Sequence, residues 1–114
     1  MIRIYGIKNC GSVKKALNFF DTHGIVYQFH DFKSSPVLRD TVEKWVVLSD
    51  ISVLLNTKGT TYRTLSLKSL DLDDAGKIDW MAQDNRLIKR PVIEYDGKLL
   101  IGFNQSQYEG TFIS

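Results

Sequence analysis

The apolar residues between Ile2 and Phe32 change period twice, and that change constrains the fold more than any other feature of the chain. Ile2 and Ile4 alternate with Arg3 and Tyr5, the two-residue rhythm of a strand. Gly6 and Asn9 mark a turn. Val13, Ala16, Leu17 and Phe20 then recur at helical spacing within residues 11–23, and Gly24 is a natural stop. From Ile25 to Phe32 the chain is again rich in β-branched and aromatic residues, with Tyr27, Phe29 and Asp31 alternating against Gln28, His30 and Phe32. A strand, a helix and a strand in such close succession predict a parallel pair joined by a right-handed crossover.

Ser34-Ser35-Pro36 interrupts this pattern. Leu38, Val42, Trp45 and Val46 predict a helix over residues 37–48, and a short one follows at 51–55. Residues 56–61 read as a polar turn or loop, and 64–70 as another short helical piece. A helix over 73–83 begins with Asp73 and Asp74, which favour a helix N-terminus, and turns Ala75, Ile78 and Ala82 inward. Trp45 and Trp80 are expected to anchor this helical block. Strands are predicted at 91–95 and 98–101, with Asp96-Gly97 between them as a two-residue hairpin turn. Pro91 is tolerated at the start of a strand, where its missing N–H need not belong to the ladder. A helix near 105–110 closes the chain. The order predicts an α/β fold, a small mixed sheet covered by helices.

The 114 residues suffice for one domain with one core. A hydrophobic share of 43% with 25% charged residues is ordinary for a soluble globular protein, and a net charge of +2 is too small to argue for nucleic acid. The longest apolar run, Trp45-Val46-Val47-Leu48, is far short of a membrane span. Arg3 and Lys8 interrupt the N-terminal apolar residues, unlike a secretory signal. His23 and His30 have no metal-ligand spacing, so no metal site is expected. His23 beside Gly24 suits a helix C-terminus, and His30 reads as an outward strand residue or a hydrogen-bonded core one.

Cys10 is the only cysteine, and it falls where the first strand turns into the first helix. A thiol there lies beside unpaired backbone N–H groups and the positive end of the helix dipole, which stabilise a thiolate and raise reactivity. Lys8, Lys14 and Lys15 add positive charge nearby. The plainer alternative is a buried cysteine acting as a small hydrophobe. One cysteine forms no internal disulfide, which fits a reducing cytoplasm. Ser12 suits helix N-terminal hydrogen bonding. Further on, Arg86, Lys89 and Arg90 cluster just before Pro91.

Several stretches carry a resemblance: Tyr5-Gly6-Ile7-Lys8-Asn9-Cys10, Lys14-Lys15-Ala16, Tyr27-Gln28-Phe29-His30-Asp31, Leu54-Leu55-Asn56-Thr57-Lys58-Gly59-Thr60-Thr61-Tyr62-Arg63, Ile88-Lys89-Arg90-Pro91-Val92 and Gly102-Phe103. In this order they resemble the arsenate-reductase-like family, with its ArsC, Spx and YffB groups, and are most similar to the YffB-like group. The resemblance implies a thioredoxin-like fold with a small four-stranded mixed sheet. It implies a single domain over 1–114 with a helical insertion at about 37–85, in a cytoplasmic bacterial protein. It further implies a cis Arg90–Pro91 bond facing Cys10. Arg90 would then lower the thiol pKa, and its planar fork could hold a carboxylate or oxyanion.

Val13 stands where a Cys-x-x-Cys oxidoreductase has its second cysteine, so the resolving thiol must come from outside. The expectation is a thiol–disulfide reductase with Cys10 as nucleophile, no bound cofactor, and glutathione as cosubstrate. Glutathione or a thiol protein such as glutaredoxin would be the partner, with no direct nucleic-acid or membrane partner. Arg90 with Lys8, joined by Lys58 or Arg63, would form a cationic pocket alongside Gly11, Ser12 and Pro91; Asn56, Gly59 and Thr60 are further candidates. Gly59-Thr60-Thr61 could offer backbone N–H groups to an anion, or simply form a turn. Arsenate reduction is the related alternative. The reductases that this chain resembles use several arginines; Arg90 matches one, while Asn56 and Gly102 stand at the other equivalent positions. Gly11, in contrast, resembles the reductases' Cys-Gly start. The third reading is an Spx-like regulator that binds RNA polymerase, although the cysteine pair of such a redox switch is absent.

Overall fold

In the computed structural model, which describes residues 1–113, β1 (Ile2–Gly6) lies inside a four-stranded sheet of order β2-β1-β3-β4. It pairs in parallel with β2 (Tyr27–Asp31) and antiparallel with β3 (Val92–Tyr95), which pairs antiparallel with β4 (Lys98–Ile101). The predicted crossover is α1 (Gly11–Thr22). Asp96 and Gly97 both take positive φ, 47° and 73°, the conformation of a primed hairpin turn whose twist matches the strands. With α6 (Gln105–Phe112) after β4, this is the thioredoxin-like arrangement.

These elements form one of two compact units, Met1–Asp31 together with the residues from Arg90 onward; the other is Phe32–Lys89. In the first, one face of the sheet carries the core. Ile4, Ile93 and Leu100 pack with Ala16, Phe19 and Phe20 of α1 and Tyr108 of α6. Tyr108 is fully buried, and its hydroxyl donates to the Gly102 carbonyl at 2.6 Å. Gly6 lets the helix approach the end of β1, since a Cβ there would lie 2.7 Å from Val13 Cγ2.

The opposite face is mixed: fully buried Val92 and half-buried Ile101 lie beside polar groups. The Tyr5 hydroxyl donates to Glu94 Oε1 at 3.1 Å, and Arg3 lies 4.0 Å from the same oxygen. Burial, reinforced by Glu94, pushes the Tyr5 phenol up to about 12. The His30 ring stacks on Tyr5 with centroids 4.6 Å apart, and its buried Nε2 has no hydrogen-bond partner among the described residues. His30 is therefore not the hydrogen-bonded core residue that was one of its two readings; it lies half-buried on the sheet face away from the core cluster. Stacking, rather than hydrogen bonding, accounts for its place.

The second unit contains α2 (Arg39–Leu48), α3 (Ile51–Leu54), α4 (Thr60–Thr64) and α5 (Asp74–Gln83), with 3-10 turns at Leu67–Leu70 and Asn85–Leu87. α2 packs on α5, and Arg39 pairs with Asp79 between them. Val42, Trp45, Leu54, Leu67, Met81, Leu87 and Ile88 are buried. Asp50 and Asp73 cap α3 and α5 by accepting from the Ser52 and Gly76 N–H groups at 2.9 and 2.8 Å. Leu55 and Ile88 form an isolated antiparallel bridge, flanked by the Asn56 N–H to Leu87 O and Lys89 N–H to Leu54 O bonds, both 2.8 Å.

Several expectations for this unit need correction. The expected loop over 56–61 gives way to α4 at Thr60, and the piece expected at 64–70 tightens to a 3-10 turn. Ser66, with φ 53°, turns the chain between them. Met81 is the buried residue of α5, whereas Ala75 is exposed and Ile78, Trp80 and Ala82 are half-buried. Packing thus selects a different phase of that weakly amphipathic helix. Leu38 is 69% exposed because it is the N-cap of α2, one residue outside the packed turn.

Candidate active site

Cys10 occupies the N-cap position of α1, with extended backbone angles of −110° and 128°. The turn after Gly6 delivers it there: the Cys10 N–H donates to the Ile7 carbonyl at 3.3 Å, and its own carbonyl accepts the first helical bond, from Lys14 N–H, at 2.9 Å. The thiol is partly exposed. Burial is the largest single influence on it and pushes its pKa up. The Val13 N–H, the Arg90 side chain and the Ser12 N–H pull the other way by hydrogen bonding to sulfur, and the Arg90 charge adds to them. Together they outweigh burial and hold the thiol below its ordinary value.

Arg90 is brought to the sulfur by the start of β3, and the Arg90–Pro91 peptide bond is cis. The Pro91 carbonyl accepts from the Gly102 N–H at 2.8 Å, and the Gly102 carbonyl accepts the buried Tyr108 hydroxyl. Gly102 has φ 85°, a conformation that disfavours any residue with a Cβ. The backbone at Gly102, which the resemblance places at a reductase arginine's position, therefore suits glycine. Tyr108→Phe removes the bond to Gly102 and leaves a buried carbonyl unsatisfied, a loss of about 1–3 kcal/mol expected in urea unfolding with the fold retained. An unchanged midpoint would contradict a structural role for that bond.

Cys10, Gly11, Ser12, Arg90 and Pro91 thus form one cluster, with Lys8 in the turn leading to it. Lys8, Lys14 and Lys15 are exposed, and the cation acting on the thiol is Arg90. A methyl group at Gly11 would meet nothing within 4 Å. Asn56, Lys58, Gly59, Thr60 and Arg63 belong to the other compact unit, where Gly59 is the N-cap of α4 and Thr60 begins it. Ser12 acts on the thiol through its backbone N–H. Val13 entered the sequence reading as an inward helix residue and as the site of a missing cysteine, but its N–H was overlooked; the position three residues into a helix from the cap would have revealed it. The Tyr108–Gly102–Pro91 support was missed altogether.

The ArsC family model matches residues 5–111. An uncharacterized protein of Haemophilus influenzae is 38% identical over 113 residues, covering 98% of this chain and 99% of that one. The solved structure of the YFFB protein superposes with a TM-score of 0.91 at 37% identity, over 96% of this chain and 97% of its own. An arsenate reductase (ArsC) related protein from Brucella melitensis is 40% identical, with a TM-score of 0.78 and coverage of 99% and 95%.

Proposed function

This chain belongs to the ArsC family, and we propose that it is a glutathione-dependent thiol–disulfide reductase with Cys10 as its one nucleophile. The observation that carries this reading is a partly exposed thiol at a helix N-cap, held below its ordinary pKa with Arg90 against it. Below its ordinary value, more of the sulfur is thiolate at neutral pH, and the thiolate is the attacking species. It attacks the glutathione sulfur of a mixed disulfide. The Cys10–glutathione bond forms, and the substrate leaves as a thiolate that takes up a proton. A second glutathione thiolate then attacks the Cys10-bound glutathione sulfur, releasing glutathione disulfide and restoring the Cys10 thiolate. Over the cycle one glutathione thiol is consumed, the substrate thiol is restored, and the glutathione released from it leaves in glutathione disulfide. With Val13 in place of a second cysteine, the external thiol is required.

Arg90 is suited to a glutathione carboxylate by its paired N–H donors, and Lys8 adds a second, solvent-facing cation. Arsenate suits the site less well. Asn56 supplies no charge, and Gly102 cannot readily be replaced by an arginine at φ 85°. Mass spectrometry of the protein after treatment with glutathione disulfide tests the reading. One glutathione on Cys10, removed by added glutathione, is expected; an unmodified Cys10 under conditions that modify a cysteine peptide counts against it.

A further inference from the structure

A second site lies within the Phe32–Lys89 unit, around the corner between α4 and the 3-10 turn that follows it. Thr57, Tyr62, Arg63, Ser66, Lys68 and Ser69 line a cavity of about 610 Å³, within the range of small-molecule sites. Its exposed wall is mostly carbon, which the Tyr62 ring and the stems of Arg63 and Lys68 are able to supply. Ser66 forms the corner. Its N–H donates to Arg63 O at 3.0 Å, and its carbonyl accepts both the Ser69 N–H at 3.2 Å and the Ser69 hydroxyl at 2.7 Å. The corner of the cavity is thus held by hydrogen bonds to the Ser66 backbone.

The charge of this segment is one-sided. From Ile51 to Leu70 the chain has Lys58, Arg63 and Lys68 and no aspartate or glutamate. Among the described residues neither Arg63 nor Lys68 forms an ion pair, and the hydroxyls of Thr57, Tyr62 and Ser66 have no internal hydrogen bond. Two cations and three available hydroxyls, with no carboxylate, complement a group with several acceptor oxygens and two negative charges. A phosphate monoester meets that description better than a carboxylate, which offers two oxygens and one charge. The carbon wall calls for an apolar body beside the anion.

We propose that this cavity binds a small organic phosphate, its phosphate held by Arg63 and Lys68 and its carbon skeleton resting against Tyr62. The site involves no step at Cys10 and stands apart from the thiol chemistry.

Phenyl phosphate titrated into the full 15N-labelled chain is the test, with inorganic phosphate and benzoate as parallel arms. Saturable shifts of the Thr57, Tyr62, Arg63, Ser66, Lys68 and Ser69 amides are expected with phenyl phosphate. Binding of inorganic phosphate and of benzoate should each be weaker by about tenfold. The double substitution R63Q/K68Q, its fold checked in the same spectra, should weaken phenyl phosphate binding by at least about tenfold. Cys10→Ser should bind it as wild type does, so a failure of thiol chemistry leaves this result untouched. Shifts absent from these amides, or unaltered in the double variant, would overturn the site. Equal binding of benzoate would overturn its assignment to phosphates, and equal binding of inorganic phosphate would overturn the apolar half.

Discussion

Cys10→Ser is expected to reduce the proposed glutathione-dependent disulfide turnover to the uncatalysed background while leaving thermal stability nearly unchanged. The loss is complete because the chain has no other cysteine, and a serine hydroxyl is not appreciably ionised at neutral pH. Stability is spared for a separate reason: serine is itself a favoured N-cap residue, and its hydroxyl oxygen can accept the Val13 N–H in place of sulfur. The assay follows glutathione disulfide produced from a glutathionylated substrate, beside a melting curve of the same preparation. Wild-type turnover that persists in the folded variant would remove Cys10 from the chemistry.

Asn85→Leu is expected to have the largest effect on stability. Asn85 is only 8% exposed, and its side chain satisfies three backbone groups. Its Oδ1 accepts the Val37 N–H at 2.8 Å, and its Nδ2 donates to Val37 O at 3.2 Å and to Met81 O at 2.9 Å. One side chain thus closes the C-terminal end of α5 and ties the segment before α2 to it. Leucine has similar size and no polar atoms, so all three groups lose their partner. At about 1–3 kcal/mol for each buried group left unsatisfied, the loss is roughly 3 kcal/mol or more. That is a large part of the roughly 5–15 kcal/mol that holds a domain together, and it lowers the thermal midpoint by roughly 10 °C or more. An unfolding free energy within about 1 kcal/mol of wild type would show that water or neighbouring groups replace the amide.

Asn85 also marks where sequence reasoning stops. Its partner Val37 lies 48 residues away, and nothing in the local pattern points to it. The strands, the crossover helix and the Asp96-Gly97 turn were legible because each is set by alternation or turn chemistry within a few residues. α5 was legible as a helix but not in its inward face: its apolar residues are spread around the axis, and packing made Met81 the buried one. α4 was hidden by threonines, which favour it little on their own.

The thiol cluster divides in the same way. The exposure to a helix N-terminus could be read from the strand-to-helix switch at Cys10. The proximity of Arg90 came through family resemblance, since no local pattern joins residues so far apart. The charge acting on the sulfur is that of Arg90 and not of the exposed lysines nearer in sequence, because closeness in sequence is not closeness to sulfur when long side chains extend into water. The buried Tyr108 hydroxyl on Gly102 gave no sequence signal beyond an aromatic in a short helix.

The rate of Cys10 alkylation as a function of pH, in wild type and in Arg90→Ala, bears on all of this. Burial alone would raise the thiol pKa, so a value below that of an unstructured cysteine peptide requires the Val13 and Ser12 N–H groups and Arg90 to prevail. The wild-type midpoint should lie below that of the peptide and move upward in Arg90→Ala. A wild-type midpoint at or above the peptide's, unmoved by the substitution, would contradict an activated thiol at this helix cap.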